Sequence, residues 1–172
     1  MLPNESEAIR LVLAAIPPSR IAVIGSGTEN YYKGMQPYIW SNIYEPFLGV
    51  HKFTNFDLTD GPGVDVVVKS LEAYNQKYKF DLVLANSLLE HVENPRKVAL
   101  AIHEMVKKDG AFLYSSPGEW PYHEDPIDNM LRFDSIAKWR TILPPIYDIK
   151  AYNKLEPIGS GYVTMVICRK SK

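Results

Sequence analysis

Apolar positions along this chain change period several times, and each change marks an element. Ile9, Val12, Leu13 and Ile16 recur at i, i+3, i+4 and i+7, which is one face of a helix. Asn4, with Glu7 three residues on, has the form of a capping pair, and Pro17-Pro18 stops the helix. Arg20-Ile21-Ala22-Val23-Ile24 then runs apolar on both faces, as a buried parallel strand does, and ends at Gly25-Ser26-Gly27-Thr28. Residues 29–50 are aromatic (Tyr31, Tyr32, Tyr38, Trp40, Tyr44) and broken by Pro37 and Pro46, which suggests a short helix and a long loop. Further strands are expected over 51–57, ending on Asp57, over 64–68 after the turn Asp60-Gly61-Pro62-Gly63, and over 80–85, ending at Asn86.

Asn94-Pro95 supplies a cap and a first-turn proline for a helix with Val98, Ala101, Ile102 and Met105 on its apolar face. The pattern puts Lys107 and Lys108 in its last turn and Gly110 at its close. A fifth strand follows at 111–115. Asp134 is placed as the cap of a helix carrying Ile136, Trp139 and Leu143, which Pro144-Pro145 ends. Strands over 147–153 and 162–169, joined by Gly159-Ser160-Gly161, read as a hairpin. Alternating strands and helices with an antiparallel end predict one α/β domain over 1–172, a Rossmann-like, mostly parallel sheet with helices on both faces.

Composition narrows the function without naming it. Nineteen Lys and Arg balance twenty Asp and Glu, giving a formal charge of −1, so no dedicated nucleic-acid binding is evident. The single cysteine, Cys168, allows no internal disulfide and no cysteine-only metal cluster. No apolar run approaches the ~18 residues of a membrane span, and the acidic start carries no signal-peptide pattern. The expectation is a reducing, cytoplasmic setting with no membrane partner.

In a doubly wound sheet, ligands bind where strand order reverses, outside the carboxyl ends of the strands. The loops after the first four strands are therefore the places to look. Gly25-Ser26-Gly27 lets a ligand approach the backbone, although a tight strand-to-helix turn explains it equally well. The dinucleotide pattern G-x-G-x-x-G fails because Asn30 holds its last position, which argues against a nicotinamide or flavin dinucleotide. Asp57 could accept both hydroxyls of a ribose or simply cap Thr59 or Asp60. His51 and His103 read as surface residues. Trp120, Tyr122 and the aromatics of 31–44 suit either an acceptor pocket or packing.

From Ile21 to Arg132 the chain resembles the class I S-adenosylmethionine-dependent methyltransferases, in a type 11-like branch that includes many small-molecule and sugar enzymes. Arg20–Thr28 is similar to the first motif, and Phe56-Asp57-Leu58 with Gly61–Val67 to the second-strand acid and third strand. Phe80-Asp81-Leu82-Val83, Leu89-Glu90-His91-Val92-Glu93-Asn94-Pro95 and Lys107–Ala111 are similar to the fourth strand, helix and fifth strand. Pro121-Tyr122-His123-Glu124-Asp125-Pro126 with Arg132-Phe133 recurs in one subset.

The resemblance implies a seven-stranded sheet and S-adenosylmethionine as cofactor. It implies that Gly25, Ser26 and Gly27 lie along the cofactor's aminocarboxypropyl arm and ribose, and that Asp57 holds the ribose hydroxyls. Ser70 and Leu71 would flank the adenine, and Asn86 would sit beside the methionine part. The acceptor would be an oxygen or nitrogen of a small molecule, with sugar-related compounds among the candidates. His123 is the candidate general base, with a solvated loop histidine as the equal alternative. The sequence departs from the family at Val23, Glu29 and Lys69, where an acid, a third glycine and an adenine-side acid are usual. A non-catalytic binding or scaffold protein with a degenerate cofactor site is therefore the alternative. In some relatives Glu90-His91 is completed as a metal site by a Glu where Ser87 stands here, so no metal is expected and the pair reads as a satisfied polar pair. The short chain leaves a homodimer or a partner chain as a source for the rest of the pocket.

Overall fold

The computed structural model describes residues 3–25, 43–61, 63–74, 77, 79–119, 129, 131–143, 147–158 and 161–170. Helix α1 (Pro3–Ala15) leads into β1 (Arg20–Ile24), β2 (Lys52–Asp57), β3 (Val66–Val67) and β4 (Phe80–Asn86). Helix α2 (Pro95–Met105), β5 (Val106–Glu119), helix α3 (Ile136–Ile142), β6 (Tyr147–Ile158) and β7 (Gly161–Lys170) complete the described elements. They form one seven-stranded sheet in the order β3-β2-β1-β4-β5-β7-β6. Strands β1 to β5 pair in parallel, and β7 lies antiparallel between β5 and β6, which is the hairpin the sequence predicts.

Strand order reverses beside β1, because β2 lies on one side of it and β4 on the other. The residues at the carboxyl ends of β1, β2 and β4 therefore lie side by side on one edge of the sheet, where ligands bind in sheets of this kind. Each face of the sheet buries its own apolar cluster. On one face, Val98, Ala99, Ile102 and Met105 of α2 and Trp139 of α3 pack with Ala22, Ile24, Val83, Phe112 and Tyr114. On the other, Ile9 and Leu13 of α1 pack with Ile21, Val23, Leu82, Leu84 and Leu113. Alternate residues of β1 serve opposite faces, as strand geometry requires. Helices thus cover both faces. No helix among the described residues is long and apolar enough to cross a membrane.

Helix α2 starts as expected, with Asn94 Oδ1 accepting from the Lys97 amide at 3.0 Å and Pro95 in the first turn. Other expectations need correction. Helix α1 already includes Pro3 and Asn4, so Asn4 lies inside it rather than ahead of it. Helix α2 ends at Met105, and Lys107 and Lys108 belong to β5. Tertiary pairing wins there: Val106 pairs with Phe80, and Lys107 Nζ donates to Asp81 Oδ1 at 2.8 Å. Gly110 lies in β5, where a Cβ would come within 2.9 Å of the Asp81 carbonyl oxygen. Ser135, not Asp134, caps α3: its Oγ accepts from the Lys138 amide, while Asp134 takes the Lys138 ammonium at 2.8 Å.

His51 and His103 are buried rather than exposed. His51 Nδ1 accepts from the Ser19 amide at 3.2 Å and Nε2 bonds the Leu13 carbonyl at 2.9 Å, so it ties the end of α1 to the start of β2. The His103 ring stacks on Phe112, with centroids 5.8 Å apart. Burial pushes its pKa down, helped by the Lys170 charge.

Candidate functional site

The carboxyl edge of the sheet collects the strand ends. Gly25 closes β1 with φ +66°, a left-handed backbone that glycine adopts without strain. Its amide donates to the Phe56 carbonyl at 2.9 Å, and a Cβ added there would lie 3.3 Å from Leu88 on the neighbouring loop. The missing side chain lets these two loops approach. Ser26 and Gly27 fall outside the described residues, as do Glu29 and His123.

Asp57 ends β2, half-buried. Its Oδ1 accepts from the Thr59 amide and hydroxyl, both at 3.2 Å, so it does cap the turn. A carboxylate offers about four lone-pair sites, so this turn does not exhaust its capacity for hydroxyl donors. After β3, the Ser70 hydroxyl accepts from the Ala73 amide, and Leu71 is buried in the core cluster with Phe56. Asn86 ends β4, its Oδ1 lying 3.4 Å from the Ser115 hydroxyl oxygen. The next residue, Ser87, is held at φ +46°, an uncommon backbone for a residue with a Cβ. The Ser87 amide donates to the Ser115 carbonyl at 3.0 Å, which fixes it there.

Two departures acquire a physical setting. Val23 is buried in the cluster that packs Ile9 and Leu13 against β1, so α1 occupies the face that a side chain at this position meets. Lys69 is exposed after β3.

Sequence reasoning missed the most unusual feature of this edge. Glu5 and Glu90 are both fully buried. Glu5 reaches from α1 to accept from the Ser115 hydroxyl, and Glu90 Oε2 accepts from the Ser116 hydroxyl at 3.0 Å. Ser115 and Ser116 are consecutive on β5, beside the end of β4, and point to opposite faces, so the carboxylates approach β5 there from either side. Glu90 lies in a short 3₁₀ turn, Leu89–His91, clamped by Asn129. The Asn129 side-chain amide donates to the carbonyls of Leu89 and Val92 at 2.8 and 2.7 Å.

Glu90 Oε1 has no hydrogen-bond partner among the described residues; His91 Nε2 lies 4.0 Å from it. Burial pushes the Glu90 pKa up to about 7. The Glu5 charge adds to that, while its own amide, Ser116 and the Arg132 guanidinium oppose it. Glu90-His91 is thus not the satisfied polar pair that the sequence suggests. Among the described residues no group of three His, Cys, Asp or Glu could hold a metal ion.

A signal for Glu5 was present: residues 5, 9 and 13 fall on one helical stripe, so Glu5 continues the buried row of Ile9 and Leu13. Ser115-Ser116 at the end of an apolar strand was a second. Glu90 was marked only by the family resemblance, as half of the Glu90-His91 pair, and nothing in the local pattern showed that it is buried.

A seven-stranded sheet in this order, with a glycine at the first strand end and an acid at the second, defines a Rossmann-like fold of the methyltransferase type. The chain belongs to the methyltransferase domain family, whose model matches residues 6–154. No curated protein matches it in sequence.

Solved structures share the fold at low identity. The 1,6-didemethyltoxoflavin-N1-methyltransferase of Burkholderia thailandensis, solved with 1,6-didemethyltoxoflavin and S-adenosylhomocysteine, is 17% identical with a TM-score of 0.68. The match covers 99% of this chain and 78% of that one. A candidate methyltransferase of Bacillus halodurans reaches a TM-score of 0.72 at 11% identity, covering 98% and 99% of the two chains. The N-methyltransferase NodS of Bradyrhizobium japonicum, solved with S-adenosylhomocysteine, has a TM-score of 0.63 at 13% identity, covering 99% and 89%.

Proposed function

We propose that this protein transfers a methyl group from S-adenosylmethionine to a nitrogen or oxygen of a small-molecule acceptor. The observation that carries the reading is that Gly25, Asp57 and Asn86 end neighbouring strands on one edge of the sheet, at the reversal of strand order in a methyltransferase-family sheet. Two structural neighbours were solved with S-adenosylhomocysteine, the product such a transfer leaves. The residues present fit this cofactor. Gly25 offers a bare, positive-φ backbone, and the half-buried Asp57 carboxylate offers acceptors for a pair of ribose hydroxyls.

In this reading Gly25, Ser26 and Gly27 lie along the cofactor's arm, Asp57 holds the ribose, Ser70 and Leu71 border the adenine, and Asn86 faces the methionine end. The cofactor supplies an electrophilic methyl group on a sulfonium. The chain supplies orientation, which is the main protein contribution to such a displacement. For a hydroxyl acceptor the candidate base is His123, in the segment after β5. A second copy or a partner chain would complete the acceptor side.

Calorimetric titration of S-adenosylmethionine into the parent and Asp57→Ala tests the reading. Losing charge-assisted hydrogen bonds to the ribose should cost about 1.5–3 kcal/mol of affinity. Equal binding by the two proteins would remove Asp57 from the site, and no binding by the parent would remove the function.

A further inference from the structure

We propose that Glu90 receives the reacting nitrogen of the acceptor: its Oε1 accepts an N–H from a small amine and takes the proton whose loss frees the nitrogen lone pair. This rests on the methyltransferase reading and narrows its acceptor from nitrogen or oxygen to an amine.

Three observations on this edge converge. The first is a missing donor. One Glu90 oxygen is spent on Ser116, and the other has no hydrogen-bond partner among the described residues although the side chain is fully buried. Leaving such an atom unpaired is costly, so a site of this kind is built for a donor that arrives with a ligand.

The second is place. The turn Leu89–His91 follows β4 after two residues, so Glu90 stands four residues beyond Asn86, at the carboxyl edge of the sheet. The Ser115 hydroxyl that touches Asn86 also touches Glu5. Asn129 locks the turn that presents the carboxylate.

The third is charge. Glu5 comes from α1, Glu90 from the turn after β4, Arg132 from the segment before α3, and His91 from beside Glu90 itself. Among these described groups the Glu5 charge acts on Glu90 from across β5 and is opposed by Arg132, so a cation arriving at Oε1 adds the attraction that burial withholds. An ammonium brings both the positive charge and the N–H, whereas a hydroxyl brings only a donor.

The proton step balances within the chain. An N–H bond of the ammonium breaks, an O–H bond forms at Glu90 Oε1, and the electron pair stays on nitrogen, available for the methyl group. The proton leaves Glu90 to solvent as the site turns over. Burial raises the affinity of a carboxylate for a proton and lowers that of an amine, so the same environment brings the two together. With its pKa near 7, Glu90 is poised to accept and release a proton under neutral conditions.

The test uses the full chain, saturated with S-adenosylhomocysteine and carrying ¹³C at the glutamate carboxyl carbons. The Glu90 signal is assigned by its loss in Glu90→Gln, which keeps the shape and the Ser116 contact. Methylammonium should lower the Glu90 titration midpoint by about one pH unit, because a bound cation favours the carboxylate. Tetramethylammonium at equal ionic strength carries the charge without an N–H and should leave the midpoint in place. Glu5→Gln should shrink the methylammonium effect.

If neither ion moves the midpoint, or both move it equally, the amine assignment is overturned. An undiminished effect in Glu5→Gln overturns the two-carboxylate argument. Calorimetry separates the levels: S-adenosylhomocysteine binding without a methylammonium effect sinks this inference alone, whereas a parent that binds no S-adenosylhomocysteine sinks the methyltransferase reading with it.

Discussion

At the amino edge of the sheet, His51 and Asp81 sit among partners that use both of their polar ends. His51 bonds the Ser19 amide and the Leu13 carbonyl, and Asp81 takes the Arg20 amide on Oδ2 and the Lys107 ammonium on Oδ1. At the carboxyl edge, Glu5 and Glu90 are more deeply buried, yet Glu90 leaves one oxygen without a partner among the described residues. The titration behaviour divides the same way. Burial pushes Asp81 up, but Lys107 and the Arg20 amide hold its carboxyl below the usual range. Burial prevails at Glu90. Both groups at the amino edge are paired, while the carboxyl edge leaves one Glu90 oxygen unspent where a ligand would repay it; positive φ does not divide the edges, because Ser87 (φ +46°) has a counterpart in Asp109 (φ +66°) near the start of β5.

The largest effect that would break this comparison is at Glu90. A carboxylate raised from about 4.5 to about 7 destabilises the fold when it ionises. The sign is that of a raised acid: the native state holds the proton more tightly, so the contribution is full below about 4.5 and is lost as pH rises through about 7. Glu90→Gln removes the ionisation and keeps the Ser116 bond. It should stabilise the protein by about 3 kcal/mol at pH 8, fading to nothing near pH 4. Urea denaturation at the two pH values reads it. A variant that is less stable than the parent at pH 8 would place Glu90 with the structural residues, and the contrast between the edges would collapse.

His51→Leu is the matching experiment at the other edge. It leaves the Ser19 amide and the Leu13 carbonyl without their imidazole partner in a buried place. The expected loss is about 1–3 kcal/mol, the cost of an unsatisfied buried group. Affinity for S-adenosylhomocysteine should stay within twofold. A large fall in affinity alongside the stability loss would mean that the two edges are coupled through α1.

How far these edges were legible in the sequence follows the same line. The sheet was legible because buried parallel strands are continuous apolar runs: 20–24, 80–85 and 111–115 all fall inside observed strands. Asn94 was legible because its cap is made within three residues. Contacts set by distant chain were not. Lys107 looked like a helix terminus until Asp81 drew it onto the sheet, 26 residues away. Asp134 and Ser135 were both good caps by type, and the Lys138 ammonium took the first and left the second to the amide. His51 looked exposed because its partners lie 32 and 38 residues away. Glu5 was hidden by its type, since Glu is almost never fully buried, even though its helical position pointed inward.

The smallest effect sharpens the comparison at the amino edge. The Lys107–Asp81 pair is tight at 2.8 Å, but the two side chains are 38% and 37% exposed, so solvent screens it. Asp81 also keeps the Arg20 amide when the lysine is lost. Lys107→Met should therefore cost less than ~1 kcal/mol at pH 7, the range of exposed ion pairs. Asp81 is a lowered acid, so its contribution is present above its ordinary value of 3.8 and is lost as pH falls through the lower value of the folded state. Parent and variant should converge in acid, and 1 M salt should shrink their difference at pH 7. Urea midpoints at pH 7 and in acid, with and without salt, check each part. A salt-insensitive loss beyond ~2 kcal/mol would mean that the lysine stem packs against the start of β4 and that its charge matters little.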